Sequence, residues 1–358
     1  MTLVPERVDR LLALADDEVA SGRLPACQLA LALDGEVVVR HTVGAPEDSR
    51  FTTFSVTKAL TAAVAWMYLA PETKVVDLVP EFAGGGKEAV TVEHLLTHTA
   101  GFPRAPLRAE VGADPQARRA RFATWRLDWE PGTRLEYHAT SAHWVVATMV
   151  EVVAGRDFRD VVRERVIDPL GLPALRLGED GPALDVVHLG APSDVPDPLS
   201  ADPEWLLRFN LPDVRRVGIP GAGAVSTADD VALLYQHLLH DPKGLWDPAV
   251  LADGTGHVRT TLVDPWTGVP ALRTLGLTVA GDDGKAAVRQ FGRATGPRAF
   301  GASGLGGQIA WADPDCGLSF CFLTNGLDRD QVAAFVRANR LSTAAARCVT
   351  PRIPGAAA

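Results

Sequence analysis

Ser55 and Lys58 stand three residues apart in FTTFSVTKALTAA, residues 51–63, a stretch that is otherwise apolar or hydroxylic. On a helix, residues three apart share a face, so the amine can reach the hydroxyl. Burial among apolar neighbours disfavours an ammonium and lowers its pKa. A lysine brought toward neutrality can accept the serine proton, which makes the serine a nucleophile beside its base. A helix N-terminus at Ser55 adds free N–H groups and the positive end of the dipole, both favourable to developing negative charge. The spacing alone is short, and a surface lysine with a chance serine would match it equally well. The elements around the pair have to decide.

Those elements follow from pattern. Val8, Leu11, Leu12, Ala15 and Val19 recur at helical spacing near the N-terminus. Residues 26–44 form two strands joined by Asp34-Gly35, a hairpin signal. The helix carrying Ser55 and Lys58 takes Thr52 or Thr53 as N-cap and ends before Pro71. Further helices are expected at 91–100 with Thr91 at the start, at 141–155, at 157–169, and at 226–240 behind Ser226 or Thr227. Residues 178–222 are rich in Pro, Gly and Asp and suggest an irregular, lid-like segment. Strands return after about residue 258, a last helix follows, and 351–358 is a tail. No internal repeat is evident. The expected fold class is α+β: an antiparallel sheet flanked by helices, built from residues 1–70 and 224–350, with 71–223 inserted as a helical subdomain. A cleft between the two is a natural place for chemistry.

Composition bounds the partners. The chain has 358 residues, 47% of them hydrophobic and 22% charged, with a net charge of −9. That balance suits a globular protein and argues against nucleic acid, which needs a basic face. The basic run 118–126 fits a solvated helix face. The longest apolar run, 59–71, is too short to span a bilayer, and the first twenty residues carry acids where an export signal would be apolar. A cytoplasmic location and no membrane partner are therefore expected. Cys27, Cys316, Cys321 and Cys348 lack metal spacing and fit free thiols. His94 and His98, four apart, could face one zinc ion, but no third ligand stands near, and neither metal nor cofactor is expected. The glycines at 304, 306 and 307 fall on a strand and so do not form a phosphate loop.

Beyond the Ser-x-x-Lys pair, several stretches resemble the serine β-lactamase and penicillin-binding-protein superfamily, in its class C-like branch of carboxylesterases, peptidases and acyltransferases. They are VTVEHLLTHTAGFPR at 90–104, WEPGTRLEYHATSAHWVVATMVEVVAGRDFRDVVRERVIDPLGLP at 129–173, PGAGAVSTADDVALLYQHLL at 220–239, and FGASGLGGQIAWADPDCGLSFCFLTNG at 300–326. The likeness runs in order over roughly residues 5–330. It implies the two-part fold already drawn, Ser55 as the acylated nucleophile, Lys58 as its proton partner and Tyr137 as the group that passes a proton to the leaving group. It also implies an oxyanion hole of two backbone N–H groups, from Ser55 and Leu305. The cleft would bind substrate through His138, Ala302, Ser303 and Gly304.

The sequence departs from that family twice. Its second motif is commonly Tyr-x-Asn, whereas Tyr137-His138-Ala139 lacks the amide. Its third motif is Lys-Thr-Gly or His-x-Gly, whereas Ala302-Ser303-Gly304 lacks the cation. Both missing groups help hold a β-lactam. The expectation is a serine hydrolase or acyltransferase acting on a small-molecule ester or amide, with an amine or alcohol as a possible acceptor. The alternative is a repurposed or inactive scaffold that binds a small ligand or catalyses a non-hydrolytic reaction. His138 either replaces the missing cation or points away. Trp125, Trp129, Trp205 and Trp266 either line an acyl pocket or pack under loops.

Overall fold

The structure, a computed structural model, describes residues 1–179, 181–190 and 203–350. Helix α1 is Pro5–Ala20, and strands β1, Cys27–Leu33, and β2, Glu36–Val43, form the expected hairpin. Asp34 and Gly35 both take positive φ, as the tight turn requires. Helix α2 is Thr57–Tyr68, α3 is Ser141–Ala154 and α4 is Ala228–His240. The chain closes with β3, Thr278–Val279; β4, Phe300–Gly304; β5, Gln308–Asp313; β6, Leu318–Thr324; and α5, Gln331–Ala346. The six strands make one antiparallel sheet in the order β2-β1-β6-β5-β4-β3, so both ends of the chain share it.

The two faces of this sheet differ in side-chain size, and that difference places the helices. Leu29, Leu31, Ile309, Trp311, Phe320 and Phe322 point to one side and pack with Leu11 and Ala15 of α1 and Ala338 and Leu341 of α5. Ala30, Ala32, Ala310 and Ala312 point to the other, where small side chains let α4 come close and connect to the core around α2 and α3. Helix α2 is buried on every side from Thr57 to Trp66, and α3 from Ser141 to Val150. Helices apolar all round belong inside a protein, and α2 passes through the centre of this one.

Two expectations need correction, and one feature was not foreseen. The segment 178–222 is not simply irregular: in its described part, Val187–Leu189 pairs with Gly326–Asp328, and Pro203–Leu207 and Pro212–Val217 are short helices. Residues 180 and 191–202 of that segment, and the tail 351–358, lie outside the described residues. The basic run is not wholly solvated either, because Arg118 is buried, pairs with Glu151 and lies over the Trp144 ring. A small sheet not anticipated at all joins Phe51–Thr52, Ala224–Ser226 and Arg176–Leu177. It ties the approach to Ser55 to the segment before α4. No helix among the described residues is long and apolar enough to cross a membrane.

Candidate active site

Ser55 sits on a 3-10 turn, Phe54–Val56, immediately before α2. Its amide is thus among the N–H groups that a helix start leaves without an intrahelical acceptor. Phe54 has φ 43°, left-handed for a bulky residue. Such a conformation costs about 1 to 3 kcal/mol and persists only where surrounding structure imposes it. The surroundings are in place: Phe54 packs edge-on against Phe209, ring centroids 5.3 Å apart. Thr53 donates its hydroxyl to the Ala224 carbonyl at 3.1 Å, and Gln308 Nε2 donates to the carbonyls of Thr52 and Thr324.

Lys58, one helical turn on, is 3% exposed. Its Nζ lies 3.1 Å from Ser55 Oγ and 2.7 Å from each of the carbonyl oxygens of Ala139 and Gly221. A carbonyl can only accept, so Lys58 donates to both. With two hydrogens so used, a neutral amine turns its lone pair to the serine hydroxyl; an ammonium donates to all three. The same three neighbours therefore satisfy the group before and after it takes a proton. Burial disfavours the ammonium and pulls its pKa down, the field of Arg273 adds to this, and Tyr137 opposes it.

Tyr137 completes the cluster. The Lys58 Nζ stands 4.9 Å from its ring centroid. Burial pushes the phenol pKa up, but the Lys58 charge, interactions with Lys58 and Ser55, and the Arg273 charge outweigh this and hold it below the usual tyrosine value. Arg273 was not legible as a site residue; its guanidinium lies 5.6 Å from the same ring.

The third motif meets Ser55 through backbone. Gly304 ends β4, and a Cβ built there would fall 3.0 Å from the Thr53 carbonyl oxygen and 3.2 Å from the Ser55 amide nitrogen. Only glycine lets the strand approach so closely. Leu305 follows at once, so the two proposed oxyanion-hole residues flank this contact. Ala302 is opposite Ala310 and shares its face with Gly304, the face that carries α2; Ser303 is opposite Ile309, on the α1 and α5 side. Of the three, Ala302 and Gly304 are thus turned toward Ser55, and Ser303 is not.

His138 does not supply the missing cation. It is fully buried, its Nδ1 donates to the Glu136 carbonyl at 2.7 Å and its Nε2 accepts from the Phe102 amide at 3.1 Å. Those partners require the neutral ring, and burial pushes its pKa down to about 3. His94 closes a capping box with Thr91, while the His98 ring lies tilted against Tyr137, centroids 4.6 Å apart, so the two serve different neighbours. Trp125 packs on Phe102 and Phe122 in the core, and Trp205 on Phe209. Trp129 lies beneath the Arg134 guanidinium, and Trp266 is half exposed. Burial raises the thiol pKa of all four cysteines, to about 12 at Cys27, which disfavours the thiolate a nucleophile would need.

A serine on a strained turn, a desolvated lysine one turn later and a phenol held by cations make a site of the acyl-transfer type. The Beta-lactamase family model matches residues 11–345, and the chain belongs to that family. It is 31% identical to penicillin-binding protein 4 of Amycolatopsis lactamdurans over 65% of this chain, a match spanning 62% of that relative's length. It is 26% identical to the esterase/beta-lactamase LipL of Mycobacterium tuberculosis, over 84% of this chain and 76% of that one. A solved penicillin-binding-protein homologue from Caulobacter crescentus superposes with a TM-score of 0.77 at 27% identity, covering 98% of this chain and 99% of that one.

Proposed function

We propose that this protein is a serine hydrolase or acyltransferase that forms an acyl-enzyme on Ser55 from the ester or amide of a small molecule. The observation that carries the reading is the Lys58 amine, buried and 3.1 Å from Ser55 Oγ with its other donors fixed on two carbonyls. Ser55 Oγ attacks the substrate carbonyl carbon as its proton passes to the Lys58–Tyr137 pair. Negative charge on the carbonyl oxygen faces the Ser55 and Leu305 amides. Collapse expels the leaving group, which takes a proton through Tyr137, and water or an added alcohol or amine then removes the acyl group by the reverse steps.

Esters are favoured over β-lactams. The side chains at 139 and 302 are methyl groups, so neither offers a donor to a lactam amide or carboxylate. The likeness to an esterase, EstB of Burkholderia gladioli, 26% identical over 88% of this chain and 90% of that one, supports the ester reading. The test is hydrolysis of short-chain p-nitrophenyl esters by wild type and Ser55→Ala. The reading expects turnover in the former only, with an added alcohol diverting product from free acid to conjugate if transfer competes. Equal turnover by the folded alanine variant overturns it.

A further inference from the structure

Arg273 is a half-buried cation beside the site, with no carboxylate at ion-pair distance among the described residues. Its Nε is buried and has no hydrogen-bond partner, and no salt bridge reaches its guanidinium among the described residues. A buried donor left without a partner is costly, and here that donor is the Nε of an otherwise half-buried side chain. The group it lies against is the Tyr137 ring, 5.6 Å away.

Its position is built. Arg273 pairs with Thr278 across an isolated bridge, and Thr278 pairs in turn with Gly301 of β4, next to Ala302. The turn between them is fastened to α2, where Trp66 Nε1 donates to the Leu275 carbonyl at 2.9 Å. Gly276, at φ 102°, presses on Ala62 so closely that a Cβ would stand 2.5 Å from the alanine methyl. Leu272, just before, is held at φ 46°. Backbone bonds from Arg259 and to Thr260 fix the residue from its other side.

We infer that Arg273 is a positioning residue for Tyr137: from the turn before β3 it supplies the positive charge that β4 lacks at Ala302, and so keeps the phenol ready as phenolate. The inference rests on the acyl-enzyme reading above. The groups facing Tyr137 are Ser55 and Lys58 from the α2 end, Arg273, and the ring of His98, behind which stand His138 and His143; Asp264 acts on Arg273 by charge. Burial holds all three histidines below their usual values, so Lys58 and Arg273 are the charges that count. The sign follows. A phenolate stabilised by cations is present above its depressed pKa and lost as pH falls through it; removing one cation moves that loss to higher pH. The Lys58 pKa would rise as well, in the same direction.

The test is the pH dependence of Ser55 acylation by a fluorophosphonate probe in wild type, Arg273→Lys and Arg273→Met. It runs beside ultraviolet titration of tyrosinate, taken as the difference between each protein and its Tyr137→Phe counterpart. The acid limb and the Tyr137 titration of Arg273→Met should both move up by about one pH unit or more, with Arg273→Lys near wild type. Superimposable profiles, or a rate lowered at every pH with the titration unmoved, overturn the inference. If Arg273→Met does not fold, the wild-type titration decides, since a Tyr137 ionising near the ordinary value of about 10 overturns it too. Absence of Ser55 labelling in wild type would instead defeat the acyl-enzyme reading, and the tyrosinate titration would still report on Arg273.

Discussion

Two lysines are buried among the described residues, and only one has chemistry beside it. Lys58 and Lys87 are 3% and 0% exposed. Both donate to backbone carbonyls, Lys87 to Phe122 at 2.7 Å, and both stand about one ring-width from an aromatic centroid, 4.9 Å from Tyr137 and 5.0 Å from Phe82. Burial pulls down the pKa of both. What separates them is the neighbour. Lys58 has a hydroxyl at 3.1 Å and a phenol over which a proton can pass; Lys87 has a phenylalanine. Desolvation therefore makes a lysine able to give up its proton, and the adjoining O–H groups decide whether that ability is used. Arg337, on the far side of the sheet, shows the third arrangement, a buried cation matched by the carboxylates of Glu18 and Asp328.

Substitutions can break this contrast at several strengths. Ser55→Ala and Lys58→Met should each lower ester turnover by several orders of magnitude, and the double variant should be no worse than either, because the two act as a unit. Additive losses would mean that they do not. Tyr137→Phe should cost about 10²- to 10⁴-fold in kcat, the usual worth of a positioned proton carrier, with the fold intact by circular dichroism. Lys87→Met should leave the Ser55 labelling rate unchanged and destabilise by about 1 to 3 kcal/mol, the worth of a hydrogen bond from a charged donor, while the Phe122 carbonyl keeps the Trp125 amide. A large loss of labelling there would erase the distinction between the two lysines.

The buried histidines give a pH prediction of their own. His138 is neutral in the folded protein down to about pH 3, whereas in the unfolded chain it takes a proton near its ordinary value. The unfolded state thus binds more protons in that window, and stability falls as pH drops from about 6.5 toward 3. His98 and His143 act in the same direction. Thermal melts across that range should show a steep acid loss that His138→Gln makes shallower; an unchanged slope would contradict the assignment.

How much of this was legible in the sequence depended on whether the signal was local. The hairpin at Asp34-Gly35, the Thr91 and Thr227 caps and the Ser55–Lys58 spacing are short-range features, and the structure has them. Thr53 does stand at the N-cap of the 3-10 turn that runs into α2, but its side chain makes no capping bond; the turn is held by Gln308 and Ala224, more than 160 residues away. Arg273 carries no motif; its meaning arises only from a bridge to Thr278 and a turn lying on α2. Lys87 follows three glycines and looks like a surface residue, yet it is enclosed. His138 lies next to Tyr137, but its two backbone partners turn it from the cleft, which no pattern of residue types could have disclosed.

The most direct test of the central claim is to locate the covalent adduct. Intact and peptide mass spectrometry after brief reaction with an activated acyl donor or a fluorophosphonate should find a single addition on the peptide bearing Ser55. That addition should be absent from Ser55→Ala and strongly slowed in Lys58→Met, while Lys87→Met labels like wild type. An adduct on another residue, or labelling as fast without Lys58 as with it, would contradict the account.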